Sequence, residues 1–138
     1  MSEIDLFDIL RRHSIILVDN DEWIRGAVSM FFENEGVDIV ALETAEEALV
    51  EVSTHTYSII IADYRLPGMN GLTFFKKILD THQDTLKIMI SAYGNDALIR
   101  ESKKQGVHAF IEKPFATEVT EQTITQLINK GLLPDREG

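Results

Sequence analysis

The stretch Ile59-Ile60-Ile61-Ala62-Asp63 leaves this chain little freedom of fold. Consecutive β-branched residues favour an extended backbone, and an apolar run without alternation has no side to turn towards water. It reads as a strand covered on both faces, the situation of a central strand in a parallel sheet packed between helices. Leu66-Pro67-Gly68-Met69-Asn70-Gly71 follows at once, and it is loop chemistry: proline fixes φ and glycine permits positive φ. Asp63 is thereby placed where a central strand ends and its loop opens. In open α/β sheets that edge is where ligands bind.

Four more strands surround this one. Ile15–Val18 runs into Asp19-Asn20-Asp21, and a helix from about Glu22 presents Ile24, Val28, Phe31 and Phe32 before stopping at Gly36. Residues 37–41 alternate, which suits a strand near one edge. Thr44 caps the next helix, with Glu47 at capping-box spacing and Ala48, Leu49 and Val52 as its apolar residues. After the Asp63 strand come a helix over 72–81, a strand over 86–90 ending in Ser91, and a polar helix over 95–105 stopped by Gly106. A strand over 107–111 leads into Glu112-Lys113-Pro114, and a helix over 117–130 turns Ile124, Leu127 and Ile128 inward.

Strict alternation implies right-handed crossovers. The fold class is α/β, a doubly wound five-stranded parallel sheet in the order 2-1-3-4-5 with helices on both faces. The first and third strands then lie side by side at the switch point. Ahead of this, Ile4, Phe7 and Leu10 at helical spacing predict a short helix within residues 3–12. The chain divides into an extension over 1–13, a domain over 14–131 and a tail over 132–138.

Composition narrows the chemistry. A net charge of −10 argues against a nucleic-acid partner, which is bound by neutralising phosphates. Without cysteine there is no disulfide, thiol nucleophile or thiolate metal site, and the four histidines are too dispersed to form a ligand pair. No apolar run reaches the length of a membrane span. The acidic start Met1–Asp5 is not that of a signal peptide, so the expectation is a cytoplasmic protein without membrane contact.

Asp19, Asp63, Ser91 and Lys113 each sit at or just past the end of an apolar run, so a parallel sheet puts all four on one edge. Neighbouring strands are about 4.8 Å apart. Two carboxylates there repel by an amount on the order of 4 kcal/mol at 4 Å in a partly screened site. Something cationic must relieve them, and a hard divalent ion such as Mg²⁺ suits oxygen ligands. With a hydroxyl from Ser91 and an ammonium from Lys113, the set fits a phosphoryl group. The carboxylate itself is a candidate nucleophile, forming an aspartyl phosphate. Trp23, just after the acidic turn, is expected to pack locally, with a place at the rim of the site as the lesser reading, and Arg100, Lys103 and Lys104 to form a solvated helix face.

These motifs are Ile16-Leu17-Val18-Asp19-Asn20-Asp21, the run from Ile61 to Gly71, Ser91-Ala92 and Lys113-Pro114-Phe115. Together they resemble response-regulator receiver domains of two-component signalling, of the chemotaxis-regulator kind, over residues 14–130. The resemblance implies a flavodoxin-like fold and a signalling phosphoacceptor, not an enzyme acting on a metabolite. It implies that Asp63 takes a phosphoryl group from a histidine kinase or phosphotransfer protein, and that Lys113 and Ser91 bind its oxygens. It implies Mg²⁺ held by Asp19, Asn20, Asp63 and the Arg65 backbone carbonyl. It also implies a switch: the Ala92-Tyr93-Gly94 loop closes, Phe110 swings inward, and the face of helix 95–105, strand 107–111 and helix 117–130 changes. Arg100, Lys103 and Lys104, near Glu118 and Glu121, would make that face a homodimer or partner contact.

One position departs from the pattern. Receivers usually carry a second acid where Asn20 stands, so weaker Mg²⁺ binding is expected. That departure keeps open a receiver that works without phosphorylation. Asp19-Asn20-Asp21 also resembles the opening of haloacid-dehalogenase-like phosphohydrolases, although the threonine or valine expected shortly after it and a late acidic pair are absent. The chain stops soon after its last helix, leaving no room in these residues for a DNA-binding or catalytic output domain.

Overall fold

Five short apolar segments become strands: β1 (Ser14–Val18), β2 (Asp38–Leu42), β3 (Ile59–Asp63), β4 (Leu86–Ser91) and β5 (Ala109–Glu112). They are seen in a computed structural model that describes residues 6–92 and 94–133. All pairings are parallel and the order is β2-β1-β3-β4-β5. Every residue of β3 and β4 is buried, as the unbroken apolar runs require, whereas β2 at one edge stays partly exposed.

Around the sheet lie α1 (Leu6–Leu10), α2 (Glu22–Glu33), α3 (Ala45–Thr54), α4 (Gly71–Ile78), α5 (Asp96–Lys104) and α6 (Glu118–Asn129). The pleat sorts each strand's side chains to opposite faces even where all are apolar. Ile15, Leu17, Ile59, Ile61, Ile88 and Ile90 form one core with Val28 and Phe32 of α2 and Ile124 and Leu127 of α6. Ile16, Val18, Ile60, Ala62 and Met89 form the other with Ala48 and Val52 of α3 and Phe74, Phe75 and Ile78 of α4. Each of the larger of these side chains, fully buried, is worth roughly 1.5–3 kcal/mol. The sheet is therefore clamped from both sides, and only its two ends can vary.

The extension joins the first core. Leu10 is fully buried, Phe7 meets Phe31 edge-on at 6.1 Å, and Arg11 Nε donates to the Glu35 carbonyl at 2.7 Å. Its helix ends at Leu10, ahead of the predicted residue 12, because Arg12 and His13 turn into β1; Ile4 lies outside the described residues. The fifth strand starts later than predicted, at Ala109. Val107 N instead bonds the Ser102 carbonyl and closes α5, and His108 N reaches the Lys87 carbonyl. α4 stops at Ile78, short of the predicted Thr81, and a His82 N to Ile78 O bond closes the turn beyond it.

Candidate functional site

The register fixes what meets at the carboxyl ends of the strands. Val18 of β1 pairs with Ala62 of β3, so Asp19 and Asp63, each one residue further, flank one gap. Asp63 lies opposite Ile90 of β4, and Ser91 opposite Glu112 of β5, which puts Lys113 just beyond. The structure thus gathers Asp19, Asp63, Ser91 and Lys113 at one edge. Asp19 is completely buried, and Asp63 and Ser91 are only 5% and 7% exposed.

Lys113 reaches across from β5 to both acids. Its Nζ donates to Asp63 Oδ2 at 2.7 Å and, less closely, to Asp19 Oδ1 at 3.4 Å. Asp19 Oδ2 lies 3.2 Å from the same nitrogen, yet accepts no hydrogen bond. That contact is one of charge without alignment, and it leaves a buried carboxylate oxygen unfinished. Asp19 Oδ1 also accepts from Asp21 N at 2.8 Å, and Asp63 Oδ1 from Arg65 N at 3.3 Å.

Titration follows from these contacts. Burial chiefly, and the nearby Asp63 charge, push the Asp19 carboxyl above the usual range, against the Asp21 hydrogen bond and the Lys113 charge. For Lys113, burial acts to lower the pKa, but the bond to Asp63 and the charges of Asp19 and Asp63 together outweigh it and raise it. Two acids compete for one ammonium, and the competition is unequal.

The donor set fits a small hard cation. Among the described residues no three His, Asp or Glu side chains converge as a ligand group. Mg²⁺ is bound through one or two carboxylates, with carbonyls and waters completing the shell. The unfinished Asp19 oxygen, the Asp63 carboxylate and the carbonyls of Asn20 and Arg65 are donors of that kind. Asn20 is exposed in the bend after β1. Asp21 is exposed, and its Oδ1 caps α2 by accepting from Trp23 N at 2.9 Å. Nothing in this arrangement favours the Asp19/Asp21 pair of a phosphohydrolase.

Two neighbours escape the sequence reading. Arg25 Nη1 donates to the Asp19 carbonyl at 2.8 Å, and its Nη2 lies 3.4 Å from Glu43 Oε1, so it ties the ends of β1 and β2 together. A cation in the first turn of a helix opposes the macrodipole, and that was an available signal for a specific partner. The second, Glu46 on α3, accepts from Met69 N at 3.1 Å.

Phe110 is half-buried on β5, opposite Met89, against the second core. Ala92 is exposed, and Tyr93 lies outside the described residues. Arg100, Lys103 and Lys104 are exposed, as expected of a solvated face. Trp23 corrects an expectation. It does not pack locally but is 86% exposed, because it lies on the opposite side of α2 from Phe32. With Gly26, Ala27 and the exposed Met30 it lines an apolar groove of about 630 Å³. A second groove, of about 330 Å³, joins Trp23 and Ile24 to Lys113, Pro114 and Phe115.

The family described as Response regulator receiver domain matches residues 15–125. The C4-dicarboxylate transport transcriptional regulatory protein DctD of Rhizobium meliloti is 34% identical over 105 residues, 76% of this chain and 23% of that protein. This chain thus spans about a quarter of that relative. The chemotaxis protein CheY of Bacillus subtilis is 26% identical over 118 residues, 85% of this chain and 98% of that one. A CheY-like receiver domain protein of Methanospirillum hungatei matches in fold with a TM-score of 0.80 at 24% identity, covering 86% of this chain and 94% of its own. Among the described residues no helix is long and apolar enough to cross a membrane.

Proposed function

The chain belongs to the response-regulator receiver family, and from that premise we propose that Asp63 accepts a phosphoryl group from a histidine kinase or phosphotransfer protein. The observation that carries this reading is the Lys113 ammonium, 2.7 Å from Asp63 Oδ2 and shared with a fully buried Asp19 whose second oxygen is unfinished. A carboxylate oxygen of Asp63 forms the new bond to phosphorus as the donor's P–N bond breaks. The departing histidine keeps that electron pair and takes up a proton. The product is an acyl phosphate carrying roughly two negative charges where Asp63 carried one.

The residues divide the work. Lys113 moves from carboxylate to phosphoryl oxygen, compensating charge in a site largely closed to water. Ser91, buried at the neighbouring strand end, donates its hydroxyl to another of those oxygens. Asp19, Asp63, Asn20 and the Arg65 carbonyl would hold Mg²⁺, which when bound supplies positive charge to the phosphoryl oxygens. A protein donor needs a surface beside the site. The exposed Trp23–Met30 stripe provides it, since the adjoining groove runs from Trp23 to Lys113.

Pulling Ser91 and Lys113 inward disturbs β4 and β5 at their ends, with Phe110 between them and α5, and so alters the α5, β5 and α6 face. That face is where a homodimer or partner contact would be switched, because the phosphoryl group favours one of two arrangements. The test is labelling by a small-molecule phosphodonor with Mg²⁺, the modified residue being located by mass spectrometry. Wild type should label at Asp63 and Asp63→Ala should not label at all. Label retained in Asp63→Ala but lost in Asp19→Ala would restore the phosphohydrolase. An unlabelled wild type would leave a receiver that acts without phosphorylation.

A further inference from the structure

The loop between β3 and α4 carries the Arg65 N–H that meets Asp63, and its stems are pinned by backbone. Tyr64 N donates to the Ile90 carbonyl at 2.8 Å, and Gly71 N to the Tyr64 carbonyl at 2.9 Å. Gly71 backs onto β3 so closely that a Cβ there would lie 2.3 Å from the Asp63 carbonyl oxygen. Between these stems Leu66 is buried, Pro67 has fixed φ, and Gly68 takes a φ of 73° that favours glycine. A stiff loop of this kind transmits a displacement of its tip to its root.

The tip is held from another element. Glu46, in the first turn of α3, accepts the Met69 N–H through Oε2 at 3.1 Å. The same oxygen would lie 2.6 Å from a Cβ at Gly68, so the loop passes close over the carboxylate. Capping does not explain this residue. Its neighbour Glu47 closes the capping box, accepting from Thr44 N at 3.1 Å while Glu47 N donates to Thr44 Oγ1 at 3.1 Å. Nor does an ion pair: among the described residues no cation pairs with Glu46. Two adjacent glutamates have divided their tasks, one finishing the helix and the other gripping the loop.

We propose that Glu46 is a positioning residue for phosphoryl acceptance: by holding Met69 N–H it sets the loop on which the Arg65 N–H and carbonyl depend. The role rests on Asp63 being the acceptor. Arg65 N meets Asp63 Oδ1 at 3.3 Å, a long bond that a small shift of the loop would lose.

Glu46→Ala removes the acceptor, and Glu46→Gln keeps an oxygen there without the charge. Three measurements on the full chain separate the possibilities: amide hydrogen exchange at Met69 and Tyr64, Mg²⁺ titration by Trp23 fluorescence, and the rate of Asp63 labelling. Glu46→Ala should speed exchange at Met69 and leave Tyr64 unchanged. It should slow labelling and weaken Mg²⁺ binding by about fivefold, the worth of one exposed charge-assisted hydrogen bond. Glu46→Gln should return all three to within about twofold of wild type, and the urea midpoint should fall only slightly in Glu46→Ala, as the loss of one exposed hydrogen bond requires. Unchanged exchange at Met69 would refute the tether. Faster exchange with unaltered labelling and Mg²⁺ affinity would refute the positioning role, and so would a Glu46→Gln that fails as Glu46→Ala does. A wild type that takes no label would sink the acceptor reading and this role with it, whatever Met69 shows.

Discussion

At the amino-terminal end of the strands Lys87 and His13 are about as buried as Asp19 and Asp63 are at the carboxyl end. Beyond that the two ends differ. Lys87 Nζ donates to the His82 carbonyl at 2.7 Å, and His82 Nε2 lies 3.0 Å from the Val52 carbonyl oxygen. His13 Nδ1 is 2.7 Å from Ser58 Oγ, and Thr85 Oγ1 donates to the Tyr57 carbonyl at 3.2 Å. The acceptors of these hydrogen bonds include three fixed backbone carbonyls, and each buried polar side chain named has a bond of this kind. At the carboxyl end two acids share one ammonium and a buried oxygen is left over. The amino end even has a roomy cavity of about 600 Å³, lined by His13, Tyr57, Ser58, His82 and Thr85 among others. Space does not single out the reactive end; unfinished bonding does.

The sharpest test exchanges the roles of the two lysines. Lys113→Ala should slow Asp63 labelling by at least about 100-fold, the usual loss when one electrostatic stabiliser goes. It should also destabilise, by about 3 kcal/mol, because the buried Asp19 and Asp63 carboxylates lose their shared ammonium. Lys87→Ala should leave labelling intact and lose about 3 kcal/mol in urea unfolding, from the cavity and the orphaned His82 carbonyl. If Lys87→Ala slowed labelling without a stability loss, the contrast between the ends would collapse.

Asp19→Asn comes next. Without Mg²⁺ it should gain about 1 kcal/mol of stability by ending the repulsion with Asp63. Mg²⁺ affinity, read by Trp23 fluorescence, should fall at least about tenfold. A destabilised Asp19→Asn would mean that the site is satisfied after all.

Alkaline pH separates the lysines by sign. Burial, opposed by the Asp84 charge, lowers Lys87 below its ordinary 10.5. The unfolded chain then holds that proton more tightly, so stability rises with pH from the folded pKa up to about 10.5. Lys113 is raised above the same value, so its contribution is present below 10.5 and lost as pH climbs through its folded pKa. Urea midpoints against pH should flatten below 10.5 in Lys87→Met and above it in Lys113→Met. The smallest stability change, under about 0.5 kcal/mol, belongs to Trp23→Ala. Transfer from a protein donor should nonetheless slow about tenfold, as when an interface aromatic is truncated, while a small phosphodonor is unaffected.

The sheet was legible because Ile59–Ala62 admits one environment, and the four polar residues because a parallel sheet sends all its strand ends to one edge. Which apolar residue faces which core was not legible within β3, since both faces of that strand are apolar. Arg25 and Glu46 were missed for another reason. Their closest partners are a carbonyl and an N–H, groups every residue carries, and the Glu43 side chain beside Arg25 stands 18 residues away in sequence. Lys87 hides in Leu86-Lys87-Ile88, since nothing in that run marks the His82 carbonyl that accepts from its ammonium. Trp23 could have been placed, because Val28 and Phe32 already defined the inward side of its helix.

Asp19 and Lys113 are 94 residues apart in sequence and become neighbours only when β1 and β5 lie in the same sheet. An unfolded chain offers no such cluster. Whatever binds these side chains therefore binds the native state alone, and at a hundred times its Kd it adds about 2.7 kcal/mol to the unfolding free energy. Melting temperature then goes on reporting ligand concentration after the native site is full: raising Mg²⁺ or a phosphoryl analogue should raise Tm continuously, with no plateau until the ligand also finds the denatured chain.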